Sequence, residues 1–370
     1  MRLPKQVWSS IPSESGIPIV RIKNGSILCA TGMMMEPYPV EENGRSSDDA
    51  FPGASMNAIA AAGVRIQAEI LRTTLPGLMD VTDSEYIHDS RIAIRRIRVY
   101  LKLRGLDSSA KRIRKLDSRL RKLGRRLGAI RDYDVLLHDA RNHLKKLVKT
   151  RADGFSVFIA AFETRRSGAI AKLRQRCTPQ YMDDLLASLV RFTDSFGREM
   201  REVPPRPAGL DAPSVVSDAY AKVLAFEPLV RGGEADHAVY HAIRRSAKRF
   251  RYTLEIFEPL LGPESQSFID TARELQDFLG SLNDAATVSR VAALYVSDRI
   301  GDGVPNHGAP DPFPEVARFL GTRQERIHRL LSNIPQKWAK FSSPLFRKRL
   351  FMLLGKCPIS FSPVNVKISE

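Results

Sequence analysis

The sequence predicts an all-α protein, on three observations. From Met56 onward apolar residues recur every three or four positions in segment after segment, the repeat of one helix face. The main body shows no run of the alternation that marks half-buried strands. And a helical pattern occurs twice: His88-x-x-Arg91-x-x-x-Arg95-Arg96-x-Arg98 and His241-x-x-Arg244-x-x-x-Lys248-Arg249-x-Arg251 stand 153 residues apart. A second landmark, Leu127-Gly128-x-x-Arg131-Asp132, returns at an offset of 152 as Leu279-Gly280-x-x-Asn283-Asp284, which argues for two similar helical halves.

Residues 1–55 are rich in Ser, Gly, Pro and Asn and read as a flexible leader, within which Ile17–Ile22 and Ile27–Ala30 could pair weakly as strands. Residues 56–355 read as one helical domain, with halves at 56–201 and 212–300, C-terminal helices at 314–355 and a tail at 356–370. The first helix spans Ala58–Leu75 and stops before Pro76-Gly77. The second begins at a cap on Asp83 or Ser84 and ends at Gly105. A third runs from Ser108 through Leu127, and a fourth begins at Asp132 or Asp134 and continues to Leu147. Amphipathic stretches at 153–176 and 179–201 complete this half. Glu202–Gly209, with its three prolines, reads as a linker. Helices at 212–231, 234–257, 263–283 and 284–299 follow, then a Gly/Pro-rich loop at 301–314 and helices at 314–333 and 342–354.

A chain of 370 residues can bury a sizeable core as one large domain or two modest ones. Its formal charge of +17 and isoelectric point near 10.0 predict a polyanionic partner: nucleic acid, an anionic membrane surface or a phosphate polymer. The three cysteines, Cys29, Cys177 and Cys357, are widely spaced and show no metal-ligand spacing, so neither a metal site nor a disulfide framework is expected. No apolar run reaches the roughly 18–20 residues that span a bilayer, and the N-terminus lacks the apolar core of a secretory signal. The expectation is a soluble cytoplasmic protein without a cofactor.

On a helical wheel His88, Arg91, Arg95, Arg98 and Lys102 fall within an arc of roughly 80°. Ile87, Ile94, Ile97 and Leu101 border that arc on one side, and Ile92, Val99 and Leu103 on the other. A solvated face would have polar neighbours on both flanks. Cations bordered by apolar positions belong instead at the wall of a groove between packed helices. His241, Arg244, Lys248 and Arg251 repeat the geometry beside Ile243, Ala247, Phe250 and Leu254, with Tyr252 on the other border and Glu255 placed to pair with Arg251 at i+4. A third array, Arg112, Lys115, Arg119, Lys122 and Arg126, recurs at 3-4-3-4 spacing. Between Ile87 and Arg131 sixteen Lys and Arg face three acids, a surplus of like charge that is unfavourable unless an anion neutralises it. Arginine outnumbers lysine in the motifs, which suits bidentate contact with phosphate oxygens. Each histidine reads as a hydrogen-bonded group that orients an arginine, as a direct anion contact, or as a metal or phosphoryl acceptor. Asp132 and Asp284 read as helix caps or partners of motif arginines rather than catalytic acids.

The segment Ile87-His88-x-x-Arg91-Ile-x-x-Arg95-Arg96-Ile-Arg98 resembles the opening motif of the CHAD family, the conserved histidine α-helical domain. His241-x-Ile-Arg244-Arg245-x-x-Lys248-Arg249-Phe-Arg251-Tyr252 is similar to the second motif of that family. Leu127-Gly-x-x-Arg131-Asp132-x-Asp134 and Leu275-Gln276-x-x-Leu279-Gly280-x-Leu-Asn283-Asp284 are similar to its intervening signatures. The resemblance covers about residues 56–300 and implies two pseudo-symmetric four-helix bundle-like halves around a basic central cavity. It also implies binding of inorganic polyphosphate, often at polyphosphate granules. His88, Arg91, Arg95, Arg98, His241, Arg244, Lys248 and Arg251 would line the cavity, while Lys102, Arg119, Lys122 and Arg126 are added from the basic arrays. Many relatives carry a triphosphate tunnel domain marked by Glu-x-Glu-x-Lys, which this sequence lacks.

The leading expectation is therefore non-enzymatic binding of inorganic polyphosphate, with no catalytic residue. Nucleic-acid binding is the alternative, although few aromatics stand near the motifs for base stacking. A metal-dependent phosphohydrolase or phosphohistidine carrier built on His88 and His241 ranks third, because no acidic cluster, Gly-rich phosphate loop or nucleophile motif accompanies them. Chain-length preference and oligomeric state are not legible.

Overall fold

The computed structural model describes residues 20–23, 26–29, 55–80, 84–103, 111–199, 207–233, 235–301 and 311–356. The chain divides into two compact units, Met1–Asp49 and Ala50–Glu370. In the first, β1 (Val20–Lys23) pairs antiparallel with β2 (Ser26–Cys29), in the register Val20↔Cys29 to Lys23↔Ser26. Most of the expected leader, the caps at Asp83 and Gly105, most of the Glu202–Gly209 linker and of the 301–314 loop, and nearly all of the tail lie outside the described residues.

The described part of the second unit is helical: α1 (Met56–Asp80), α2 (Ser84–Leu103), α3 (Lys111–Leu144), α4 (Lys149–Arg176), α5 (Pro179–Glu199), α6 (Ala208–Leu224), α7 (Glu227–Arg231), α8 (His237–Leu261), α9 (Gln266–Gly301), α10 (Phe313–Ser342) and α11 (Pro344–Gly355). The fold is all-α in this body, as the periodicity predicts.

Three boundaries differ from expectation. Helix α1 does not stop before Pro76-Gly77 but continues to Asp80, its later turns held against α2, where the buried hydroxyls of Thr74 and Ser90 bond at 2.8 Å. The expected third and fourth helices are a single helix, α3, so Asp132 and Asp134 are interior residues and not helix starts. The reason is burial. Leu116, Leu120, Leu123, Leu127 and Ile130 are buried on one stretch, and Leu136, Leu137 and Ala140 on the next. An interior aspartate costs only about 0.5 kcal/mol in propensity, against about 1.5–3 kcal/mol for each large apolar side chain buried. The same logic fuses the expected 263–283 and 284–299 helices into α9, so Asp284 is not a cap either.

Helix α8, which carries the second motif, starts at a true cap: the Asp236 carboxylate accepts from the Val239 backbone N–H at 2.8 Å. It stops at Gly262, whose φ of 75° lies in the left-handed region that glycine adopts without strain.

The described residues form three apolar clusters. One joins α1, α2, the first turns of α3, the end of α4, and α5. A second joins α6, α8, the first turns of α9, the end of α10, and α11, around the mutually packed rings of Tyr220, Phe250, Phe341 and Phe346. A third gathers the far ends of α3 and α9 with α4 and α10, around Phe155, Phe158, Phe162, Phe319 and Tyr295. The long helices α3 and α9 therefore each serve two cores. Helix α2 packs on α1 and α3, α8 packs on α6 and α9, α3 meets α9, and α2 meets α8. The two motif helices consequently face one another along a seam floored by α3 and α9.

Candidate anion-binding seam

Each motif helix presents one flank to its core and its cations to the seam. Ile87, Ile94, Ile97 and Leu101 are buried on α2, and Ile243, Ala247, Phe250 and Leu254 on α8. Arg91, Arg95, Arg98, His241, Arg244, Lys248 and Arg251 are half-buried, while His88 and Lys102 remain exposed.

Three basic residues meet at the centre, and two of them bury donors that lack a protein partner. Arg91 Nη1 and Arg244 Nε are buried and unbonded. Lys248 makes no ion pair or hydrogen bond with a described residue. The two arginines occupy matching seats on glycines of the floor. A Cβ added at Gly128 of α3 would come within 2.7 Å of Arg91 Nη1, and one at Gly280 of α9 within 3.5 Å of Arg244 Nε. Withdrawal from water, then Arg95, pushes Arg91 down to about 10, with Asp132 opposing. Burial lowers Arg244 also, although Asp284 restrains the fall. Lys248 is the extreme case: burial, then Arg95, Arg244 and Arg91, push it down to about 6. Burial is the leading cause of that fall, and the three neighbouring arginines add to it.

Other motif cations are already engaged. Arg95 Nη1 donates to the Tyr252 hydroxyl at 3.1 Å, across the seam from α2 to α8. Arg98 Nε donates to Asp117 Oδ1 of α3 at 2.7 Å. Arg251 donates to Gln276 Oε1 at 2.9 Å and to Glu255 Oε1 at 2.7 Å, the i+4 pair expected from spacing, and lies 4.6 Å over the Tyr252 ring. Glu255 also takes Arg96 at 3.2 Å, which ties α2 to α8. These arginines brace the walls.

The histidines differ. His241 Nδ1 donates to Asn283 Oδ1 of α9 at 2.7 Å, an orienting bond that leaves Nε2 free. His88 keeps exposed surface, yet partial withdrawal of its ring from water, then Arg131, lower its pKa below the usual imidazole value. Burial also raises Asp132, with Arg91 and Arg290 opposing and Asp284 adding to the rise. Asp132 and Asp284 are thus electrostatic partners of the seam arginines, as one of the two sequence readings had it. Among the described residues, no group of three or more His, Cys, Asp or Glu is placed to hold a metal ion.

The third array is not brought into the seam. Arg119 turns to α5, donating to the Tyr181 carbonyl at 3.2 Å and Ser188 Oγ at 3.1 Å and lying 5.0 Å over the Tyr181 ring. Arg126 reaches Cys177 Sγ at 3.6 Å. Lys122 is exposed on the outer face of α3. Sequence reasoning passed over Arg96, whose partner Glu255 lies on another helix, and Arg290, which stands outside any motif. Arg131 stands within the Leu127-Gly128 landmark, whose spacing does not reveal that it acts on His88. A concave pocket of about 520 Å³ lies elsewhere, lined by Leu224, Pro228, Pro344 and Arg347 among others. Its two arginines, Arg231 and Arg347, are both paired with Glu227, so it offers an anion less than the seam does.

Among the described residues, no helix is long and apolar enough to cross a membrane. The family model for the CHAD domain matches residues 62–293. No curated protein matches the chain. Among solved structures, the crystal structure of the CHAD domain from the plant Ricinus communis is similar over 81% of this chain and 93% of its own, at 22% identity and a TM-score of 0.56. PptA from Streptomyces chartreusis is similar over 77% of this chain and 99% of its own, at 15% identity and a TM-score of 0.52. At such identities the likeness is one of fold.

Proposed function

The chain belongs to the CHAD family, and from that premise we propose that it binds inorganic polyphosphate in the seam between α2 and α8 without turning it over. The observation that carries this reading is the cluster of Arg91, Arg244 and Lys248 in one half-buried site, where the buried Arg91 Nη1 and Arg244 Nε are aimed at no protein acceptor. Burying such donors unbonded costs roughly 1–3 kcal/mol each, a cost that a phosphate oxygen in the seam repays. A chain of phosphates suits the site better than a single one, because the α2 stripe from His88 to Lys102 extends over about 21 Å of helix. Arg98, Arg96 and Arg251, fixed by Asp117, Glu255 and Gln276, hold the walls while the free cations contact the ligand. Where cells store polyphosphate as granules, the protein would sit on them.

The test is binding of labelled long-chain polyphosphate across a salt series, with double-stranded DNA as competitor. Wild type should bind with steep salt dependence from counterion release. The triple variant R91Q/R244Q/K248Q should remain folded and lose about a thousandfold in affinity, taking roughly 1.5 kcal/mol per charged contact. A folded triple variant with wild-type affinity removes the seam as the site. Equal displacement by DNA makes the seam a general anion trap and brings nucleic acid forward. Release of phosphate with added magnesium, lost in His88→Ala, would show turnover instead.

A further inference from the structure

The outer face of α3 carries a second array of cations that the seam does not use. Lys111, Arg114, Lys115, Lys122 and Arg125 are exposed, and none makes an ion pair or hydrogen bond with a described residue. They fall within an arc of about 100° and extend over roughly 21 Å of helix. On other helices several exposed cations are held by a nearby acid. Arg72 is held by Glu69 on α1, Lys222 by Asp218 on α6, Arg273 by Asp270 on α9, and Lys340 of α10 by Glu274 of α9. Between Lys111 and Arg131 the only acid is Asp117, already occupied by Arg98 and Arg121 at 2.7 and 2.6 Å. An unscreened row of like charge on a single helix is unfavourable in itself, by repulsion between neighbouring turns.

This row is continuous with one end of the seam. Lys102, in the last turn of α2, has Arg98, Arg249 and Arg121 around it, with Asp117 the single opposing charge. The opposite end is mixed in charge: Arg131 and Arg95 act on His88 beside Glu85 and Asp89, and Arg91 and Arg290 act on Asp132 beside Asp284. A polyanion too long for the seam therefore meets the larger surplus of positive charge at the Lys102 end.

We propose that a long polyphosphate chain leaves the seam past Lys102 and continues over the outer face of α3, which serves as an extension subsite for the same polymer. The occupant is the continuation of the bound chain, because the row is basic, exposed and joined to the seam by the Arg98–Asp117–Arg121 bridge. This inference rests on the seam binding polyphosphate, and its test separates the two.

The experiment compares the full-length wild type with K115E/K122E and with a control of equal net charge, K337E/K348E, whose residues are exposed on α10 and α11. Each is titrated with tripolyphosphate and with long-chain polyphosphate over a salt series. The α3 variant should bind tripolyphosphate within about twofold of wild type and bind the long chain roughly tenfold more weakly, its salt slope reduced by about 2. The control should match wild type to within about twofold on both ligands. Unchanged long-chain affinity and slope in the α3 variant, with tripolyphosphate still bound, would overturn the extension subsite and leave the seam intact. An equal loss in the control would overturn it also, by showing a net-charge effect. Loss of DNA binding without loss of polyphosphate binding would assign the row to nucleic acid and overturn it. Wild type that binds neither phosphate ligand removes the seam reading itself.

Discussion

The α2/α3 and α8/α9 sides of the seam carry the same spacing and use it differently. At the +3 offset both have an arginine over a glycine, but Arg91 is seated within 2.7 Å of where a Gly128 Cβ would stand, and Arg244 leaves 3.5 Å at Gly280. At +7 the α2 side has Arg95, bonded to Tyr252, whereas the α8 side has Lys248, bonded to nothing described and pushed down to about 6. The histidines diverge because the floor does: Asn283 receives His241, while the matching position on α3 is Arg131, which repels a proton from His88. Helical offset decides which side chains reach the seam; the residue across the gap decides what each one does there.

The largest effect should come from breaking the point where the sides are joined. Glu255 accepts from Arg96 of α2 and Arg251 of α8, and it is only 19% exposed. Glu255→Ala leaves two half-buried guanidiniums short of an acceptor and should lower unfolding free energy by about 2 kcal/mol in chemical denaturation. Loss of less than about 0.5 kcal/mol would mean the two sides are held by apolar packing alone.

The glycine seats sharpen the comparison next. Alanine at Gly128 forces the Arg91 guanidinium off its seat, a cheap movement for stability because the colliding atom ends a flexible side chain. Binding should suffer more: about a tenfold loss of polyphosphate affinity for G128A, one charged contact's worth, against less than about twofold for G280A. In an R91Q background G128A should have no further effect. Equal losses from both glycines would show the two seats to be equivalent after all.

Lys248 gives the α8 side a pH dependence of its own. Its ordinary value is 10.5, so between about 6 and 10.5 the unfolded chain carries a proton that the folded chain does not. The unfolded state then binds more protons, and stability from this group rises with pH through that window. Lys248→Met should therefore raise the melting temperature by a few degrees below pH 6, where the penalty is full, and the gain should vanish above about pH 10.5. Binding should run the opposite way. A phosphate beside Lys248 restores its proton, so binding at pH 8 takes up a proton, and affinity should fall by up to about tenfold per pH unit between about pH 6 and pH 9. Calorimetry in two buffers of different ionisation heat detects that uptake, and K248M should abolish it.

Much of this was legible in the sequence. The apolar flanks beside each cation stripe placed Ile94 and Ile97, and Ile243 and Phe250, in cores, and these are buried. The i+4 rule found Arg251–Glu255. Long-range choices were not legible. Asp132 looked like a helix start because propensity is local, while the burial that carries α3 through it comes from a core shared with α9 and α10. Arg119 shares a stripe with Lys115 and Lys122, and nothing in that spacing says that α5 offers it the Tyr181 carbonyl. Glu255 reveals one partner at i+4 and conceals the other, Arg96, which lies 159 residues away.

The smallest effect distinguishes the histidines themselves. His241 is oriented by its bond to Asn283, whereas His88 is exposed, held by no described hydrogen bond, and has its pKa lowered by partial burial and then by Arg131. His88→Gln should change polyphosphate affinity by less than about twofold at pH 7, since it removes neither a charge nor a seated donor. His241→Ala removes an oriented donor or acceptor and strands Asn283 Oδ1, which predicts a loss of about three- to fivefold, with Asn283→Ala reproducing most of it. A larger loss from His88→Gln than from His241→Ala would reverse the assignment and make the exposed imidazole the ligand contact, with Arg131 repelling its proton until a phosphate arrives to hold it.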